Sequence, residues 1–128
     1  MPHIILEYSD NIKEHVDFDL LFQRLHALIV QNGPFDLVNI KSRAIAHSHF
    51  YVADGGAQNG FVHLSLSIFA GRDLTLRKAL GEKLLAFLQE EFAQSFATLN
   101  FSITCEMREM DKETYFKASS GRLSLNAD

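Results

Sequence analysis

Twice along this chain the apolar residues switch from every second position to every third or fourth and back again, and few folds accommodate that rhythm. In residues 61–69, Val62, Leu64, Leu66 and Ile68 alternate with His63, Ser65 and Ser67, which predicts a strand with one face toward a core. Leu76, Leu80, Leu84, Phe87, Leu88 and Phe92 follow at helical spacing, behind Asp73 as a candidate cap. Alternation returns with Leu99, Phe101, Ile103, Cys105 and Met107, a further strand. The first half runs the same course. A strand over His3 to Tyr8 is stopped by Ser9-Asp10-Asn11, and a helix carries Phe18, Leu21, Phe22, Leu25, Leu28 and Ile29 on one face. Asp17 is placed to cap that helix, and Asn32-Gly33-Pro34 to end it with an αL residue and a breaker. A strand is expected from Leu37 to about Ala46, with Ile40, Ser42, Ala44 and Ala46 on one side and Lys41, Arg43, Ile45 and His47 on the other.

The order is therefore β-α-β, a polar connection through Gly55, Gly56 and Gly60, and β-α-β again. Each helical crossover joins parallel strands. The expected fold is α+β: two β-α-β units forming a four-stranded mixed sheet with two helices on one face. The halves share negligible identity, so the duplication is one of architecture. His63, Ser65, Ser67, Asn100, Ser102 and Thr104 fall on the other face, where they could meet water or another subunit.

A chain of 128 residues supports one core, so a single domain over residues 1–128 is expected. Its 47% hydrophobic and 22% charged residues belong to a folding chain. A net charge of −4 offers no general attraction to nucleic acid or to an anionic membrane, and neither is expected as a partner. The one cysteine, Cys105, precludes an intrachain disulfide or a zinc site with two thiolates, and suits a reducing cytoplasm. The N-terminus has no signal-peptide pattern, and no stretch approaches the roughly 18 apolar residues of a membrane span, so a soluble protein is expected.

Chemistry has few candidates. Pro2 follows the initiator Met1, and removal of that methionine would leave a free secondary amine. An α-amino group titrates at about 7.7–8.0, close enough to neutrality for burial or nearby cations to leave it a neutral base. A proline there also simply fixes φ at the start of a strand. Arg72 lies where the third strand meets the second helix, beside free helix N–H groups, and its paired donors suit a planar carboxylate. A surface ion pair of no consequence fits the same residue. Lys41 and Arg43 share one face of a strand and either splay into solvent or line an anion site. His47 and His49 make an H-x-H pair without a third ligand at compatible spacing, although His3, His15, His26 and His63 occur elsewhere, and no metal is expected. Phosphate-binding glycine loops, G-x-S-x-G and CxxC are absent from the sequence.

Taken together, Pro2-His3-Ile4-Ile5-Leu6-Glu7 with Ser9-Asp10-Asn11-Ile12, Ile40-Lys41-Ser42-Arg43, Ala53-Asp54-Gly55, Phe61-Val62-His63-Leu64 and Ala70-Gly71-Arg72 resemble the tautomerase superfamily. More specifically they resemble the 5-carboxymethyl-2-hydroxymuconate Δ-isomerases, and Thr114-Tyr115-Phe116-Lys117 is a weaker echo of them. The resemblance spans nearly the whole chain. It implies a cofactor-free isomerase, a homotrimer, and conversion of a 2-hydroxy-2,4-dienoate into its 2-oxo-3-enoate isomer during breakdown of homoprotocatechuate. Pro2 would be the proton-transfer group, Arg72 would hold the 2-oxo and carboxylate end, and Lys41 and Arg43 would bind the di- or tricarboxylate substrate. In one respect the chain departs from the pattern it resembles: Lys41 stands where that family carries an arginine, and lysine lacks the bidentate fork. Two other functions fit the same fold: a tautomerase of another keto-enol acid such as a phenylpyruvate-like one, and a trimeric module that binds small carboxylates or proteins without turnover.

Overall fold

The structure, a computed structural model, describes residues 1–123 and 125. Its elements run β1 (His3–Ser9), α1 (Phe18–Gln31), β2 (Lys41–His47), β3 (Asn59–Phe69), α2 (Leu74–Glu91), α3 (Ala93–Thr98) and β4 (Asn100–Met110). Short 3-10 turns occupy Leu37–Asn39 and Lys112–Thr114. The strands form one sheet in the order β2-β1-β3-β4. β1 pairs with β2 and β3 with β4 in parallel, as the crossovers require, while β1 and β3 pair antiparallel. The expected mixed sheet with helices on one face is thus present.

Period-2 alternation works because only one sheet face is packed. Ile4, Leu6, Val62, Leu64, Leu66 and Ile68 are at most 1% exposed, and they meet Leu21, Leu25 and Ile29 of α1 and Leu80, Leu84 and Leu88 of α2. Burying such a side chain contributes about 1.5–3 kcal/mol, so the stripe and the alternation specify the same core. Cross-strand register puts His3, Ile5 and Glu7 beside Lys41, Arg43 and Ile45 and beside Ser67, Ser65 and His63, all on the opposite face. His63 there pairs with Thr104 at 2.6 Å and with Glu106 at 3.5 Å.

Four local expectations need correction. The second strand starts at Lys41, because Leu37–Asn39 closes a 3-10 turn in which the Asn39 N–H donates to Asp36 O at 3.0 Å. Asp17 caps α1 through Leu20 N–H at 3.2 Å, but Asp73 precedes α2 without any side-chain cap bond. Gly33 does not adopt positive φ, and Asn32, with φ −121°, ends α1. What Gly33 supplies is space, since a Cβ there would run into the Phe35 ring. Finally, α2 stops at Glu91 and a third helix follows, its Ser95 N–H bonded to the Glu14 carboxylate at 2.9 Å.

Candidate active site

β1 begins between the start of β2 and the end of β3. Parallel pairing sets His3 opposite Lys41, and antiparallel pairing sets His3 opposite Ser67. Pro2, one residue before β1, must therefore lie near Lys41 on one side and near whatever follows β3 on the other. Gly71 makes that exit, with φ +109° in the left-handed region that favours glycine, and Arg72 comes next.

The result is a cavity of about 170 Å³ lined by Met1, Pro2, Phe35, Asn39, Phe69 and Arg72 among others. Pro2 is buried, and the Arg72 guanidinium lies 5.6 Å from the centroid of the Phe35 ring. Lys41 Nζ donates to the Asn39 carbonyl oxygen at 3.0 Å, at the edge of the cavity. Arg43 sits one step further along β2, where its guanidinium reaches His3 Nδ1 at 3.4 Å. Two of the four candidates from the sequence thus share one cavity wall, the third abuts it, and the fourth is displaced along the strand.

The site is electropositive. Among the described residues, the ion pairs formed involve Arg24, His47, His63, Arg77 and Arg108, so Lys41, Arg43 and Arg72 keep their charge available. The amino terminus, here that of Met1, donates to the Asn39 carbonyl oxygen at 2.7 Å. Its pKa is lowered from 8.0 to about 6, first by burial and then by Lys41 and Lys117. Burial, followed by the terminal amine, Arg43 and Lys41, also holds the His3 imidazole below its usual value. With Arg43 donating to Nδ1, the His3 proton belongs on Nε2, which donates to the Tyr115 hydroxyl at 2.8 Å.

Sequence reasoning missed Phe35, Asn39, Phe69 and the acceptor role of Tyr115 toward His3. Tyr115 left a trace in the segment Thr114 to Lys117, whereas the other three carry no local signal. His47 and His49 are drawn elsewhere: His47 bonds Glu7 at 3.0 Å, and His49 bonds Ser48 beyond the end of β2. A larger groove of about 570 Å³ between α2 and β4 is lined by Leu74, Leu85, Ile103 and Cys105. Burial pushes the Cys105 thiol up to about 11, which leaves it protonated and unreactive, and the neighbouring Arg77 is engaged by Glu109 at 3.7 Å. The smaller cavity has the convergent charge.

Two β-α-β units joined through an antiparallel pair, with a basic cavity at the first strand's beginning, define a chain of the tautomerase-superfamily fold. A solved symmetric trimer of fused 4-OT has that fold, at TM-score 0.71 and 14% identity over 93% of each chain. The sequence profile of the 5-carboxymethyl-2-hydroxymuconate isomerase family matches residues 2–123, and the chain belongs to this family of enzymes. The 5-carboxymethyl-2-hydroxymuconate Delta-isomerase of Escherichia coli is 33% identical over 94% of this chain and 95% of its own length. A crystal structure of a 5-carboxymethyl-2-hydroxymuconate isomerase from Deinococcus radiodurans R1 superposes with TM-score 0.85 at 32% identity, covering 93% of this chain and 90% of that one.

Proposed function

We propose that this single-domain chain, once Met1 is removed, isomerises 5-carboxymethyl-2-hydroxymuconate or a similar 2-hydroxy-2,4-dienoate to the 2-oxo-3-enoate without a cofactor. The observation that carries the reading is the shared cavity of Pro2 and Arg72, with unpaired positive charge beside it. Family membership supplies the reaction class.

In this mechanism the neutral Pro2 nitrogen takes the proton from the 2-hydroxyl group, and the electron pair moves into the diene to give a dienolate. The resulting secondary ammonium returns that proton to carbon 5, so atoms and charge balance over the cycle. Arg72 holds the 2-oxo and carboxylate end and stabilises the dienolate charge, a contribution of about 2.7–4 kcal/mol where such a donor is preorganised. Lys41 and Arg43 bind the remaining carboxylates. The environment that lowers the Met1 amine would act on a Pro2 amine one residue further in, and so favour its neutral form.

Three polar sheet faces turned toward a shared interior would make a homotrimer, and the fused 4-OT of the same fold is a symmetric trimer. The enzyme would work in the cytoplasm, in bacterial breakdown of homoprotocatechuate. Among the described residues no helix is long and apolar enough to cross a membrane.

The direct test combines intact mass with ultraviolet assays. The purified protein should lack one methionine and ketonise 5-carboxymethyl-2-hydroxymuconate. Light scattering should give about three times the 14.5 kDa chain mass. A trimmed chain with no activity on any 2-hydroxydienoate would overturn the reading, and turnover confined to phenylpyruvate-like enols would reassign the substrate.

A further inference from the structure

Three amine donors converge on Asn39, two of them lysine cations. The Met1 amine and Lys41 Nζ donate to its carbonyl oxygen at 2.7 and 3.0 Å, and Lys117 Nζ donates to its side-chain oxygen at 3.2 Å. Among the described residues none of the three forms an ion pair with a carboxylate. The charges of Lys41 and Lys117, gathered on neutral oxygens of one residue, repel, and an anion placed between them would relieve that repulsion.

Lys117 comes from the opposite end of the chain and is delivered by a built segment. After β4, the Asp111 carboxylate accepts from the Glu113 N–H at 2.9 Å and starts the 3-10 turn Lys112–Thr114. Tyr115 then receives the His3 Nε2–H at 2.8 Å and sets its ring edge-on to Phe69, with centroids 5.2 Å apart. Lys112 Nζ lies 5.4 Å from the centroid of the same Phe69 ring. His3 follows Pro2 in the chain, and Phe69 and Asn39 line the cavity. The segment is therefore anchored at three points around the cavity, and Lys117 is held at its rim. Its own acids, Asp111 and Glu113, do not pair with Lys117, nor does Asp36 on the cavity wall.

We infer that Lys117 binds a third, remote carboxylate of the substrate, and that Tyr115 is the residue positioning the segment that presents it. This rests on the proposed isomerase reading, in which Arg72 takes the carboxylate beside the reacting centre and Lys41 and Arg43 take the second. Lys117 is the remaining unpaired cation on Asn39, and it makes the site prefer a tricarboxylate over a substrate with one carboxylate.

The test compares KM for 5-carboxymethyl-2-hydroxymuconate with KM for 2-hydroxypenta-2,4-dienoate, which has a single carboxylate. A hydrogen-bonded charge is worth about 1.5–3 kcal/mol, so Lys117→Met should raise the ratio of the two KM values about tenfold or more. Lys117→Arg should restore most of it. Tyr115→Phe keeps the ring on Phe69 but loses the His3 bond, and should raise the same ratio by a smaller factor. An equal rise in both KM values, or no rise in either, would overturn the assignment. Calorimetric titration with tricarballylate, an unreactive tricarboxylate, reads the contact without turnover. Weaker binding by Lys117→Met beside an inactive parent enzyme would sink the isomerase reading and leave Lys117 as a carboxylate-binding residue, whereas unchanged binding would remove Lys117 from the site.

Discussion

The backbone N–H of Lys41 donates to the carbonyl oxygen of Pro2 at 3.1 Å, and the parallel pairing of β1 with β2 continues from that bond. The residue one before β1 is thus tied to the first residue of β2 by the sheet itself. Because β1 also pairs with β3 from His3 opposite Ser67, the exit toward Arg72 arrives from the other side. Positive charge around the chain's first nitrogen is a consequence of strand order more than of loop conformation.

That placement has a titration signature in the chain that still carries Met1. Its amine falls from 8.0 to about 6, chiefly through burial, with Lys41 and Lys117 adding to it. Between those two values the unfolded chain binds more protons than the folded one. This part of the stability is therefore fully present above about pH 8 and is lost as pH falls toward about 6. Melting curves across that window should show the decline, and acetylation of the amine should abolish it. Lys41→Met should move the amine back toward its ordinary value by NMR titration.

Removing the proposed base should cost at least as much as removing a charge beside it. Positioned acid–base groups contribute about 10²–10⁴ in rate, so Pro2→Ala should lower kcat by that order although its primary amine can also be freed. A preparation retaining Met1 should be inactive, because the Pro2 nitrogen is then an amide. Stopped-flow ketonisation beside intact mass spectra checks both, and a Pro2→Ala variant with the parent's kcat would remove Pro2 from the reaction.

Much of this was legible in advance where a single burial pattern decides the structure. Val62 to Ile68 alternate because one face of β3 is packed, and Leu80, Leu84 and Leu88 recur because one face of α2 is. The reading failed where apolar residues are not buried: Leu37 and Val38, 42% and 39% exposed, look like a strand and instead form a turn. The break at Phe92 was invisible because that residue completes the α2 stripe and no Gly or Pro marks the stop. Pro2, Arg72 and Lys41 became candidates only when taken together through the family resemblance, and the fold then draws Pro2 and Arg72 into one cavity with Lys41 at its edge. Asn39 and Phe35 are ordinary residues until distant segments meet, as when His3 bonds Tyr115 112 positions away.

The Arg72 guanidinium lies over the Phe35 ring, 5.6 Å from its centroid, and that ring occupies the room that Gly33 leaves. Arg72→Ala should reduce kcat by about 10²–10³, the loss seen when one preorganised donor to a developing oxyanion is removed. Phe35→Leu keeps the arginine and loses the ring face beneath it, an interaction worth about 0.5–1 kcal/mol at exposed sites, so a few-fold decrease is expected. Steady-state kinetics on the two variants separates the roles, and equal losses would make Phe35 part of the structural core and not a guide for Arg72.

The two helix starts predict losses of different size and salt dependence for one substitution. The Asp17 carboxylate accepts from the Leu20 N–H at 3.2 Å, whereas Asp73, which looks as suitable in sequence, makes no cap bond. Losing a cap costs about 0.5–2 kcal/mol, so Asp17→Ala should lower the urea midpoint of unfolding clearly. Asp73→Ala should lose little beyond the favourable charge at the α2 N-terminus, about 0.3–1 kcal/mol at low salt. Salt tells the two apart: the Asp73 effect should fade as ionic strength rises, while much of the Asp17 effect should persist because it rests on a geometric hydrogen bond. Equal, salt-sensitive losses in both variants would mean that α1, like α2, begins on charge alone.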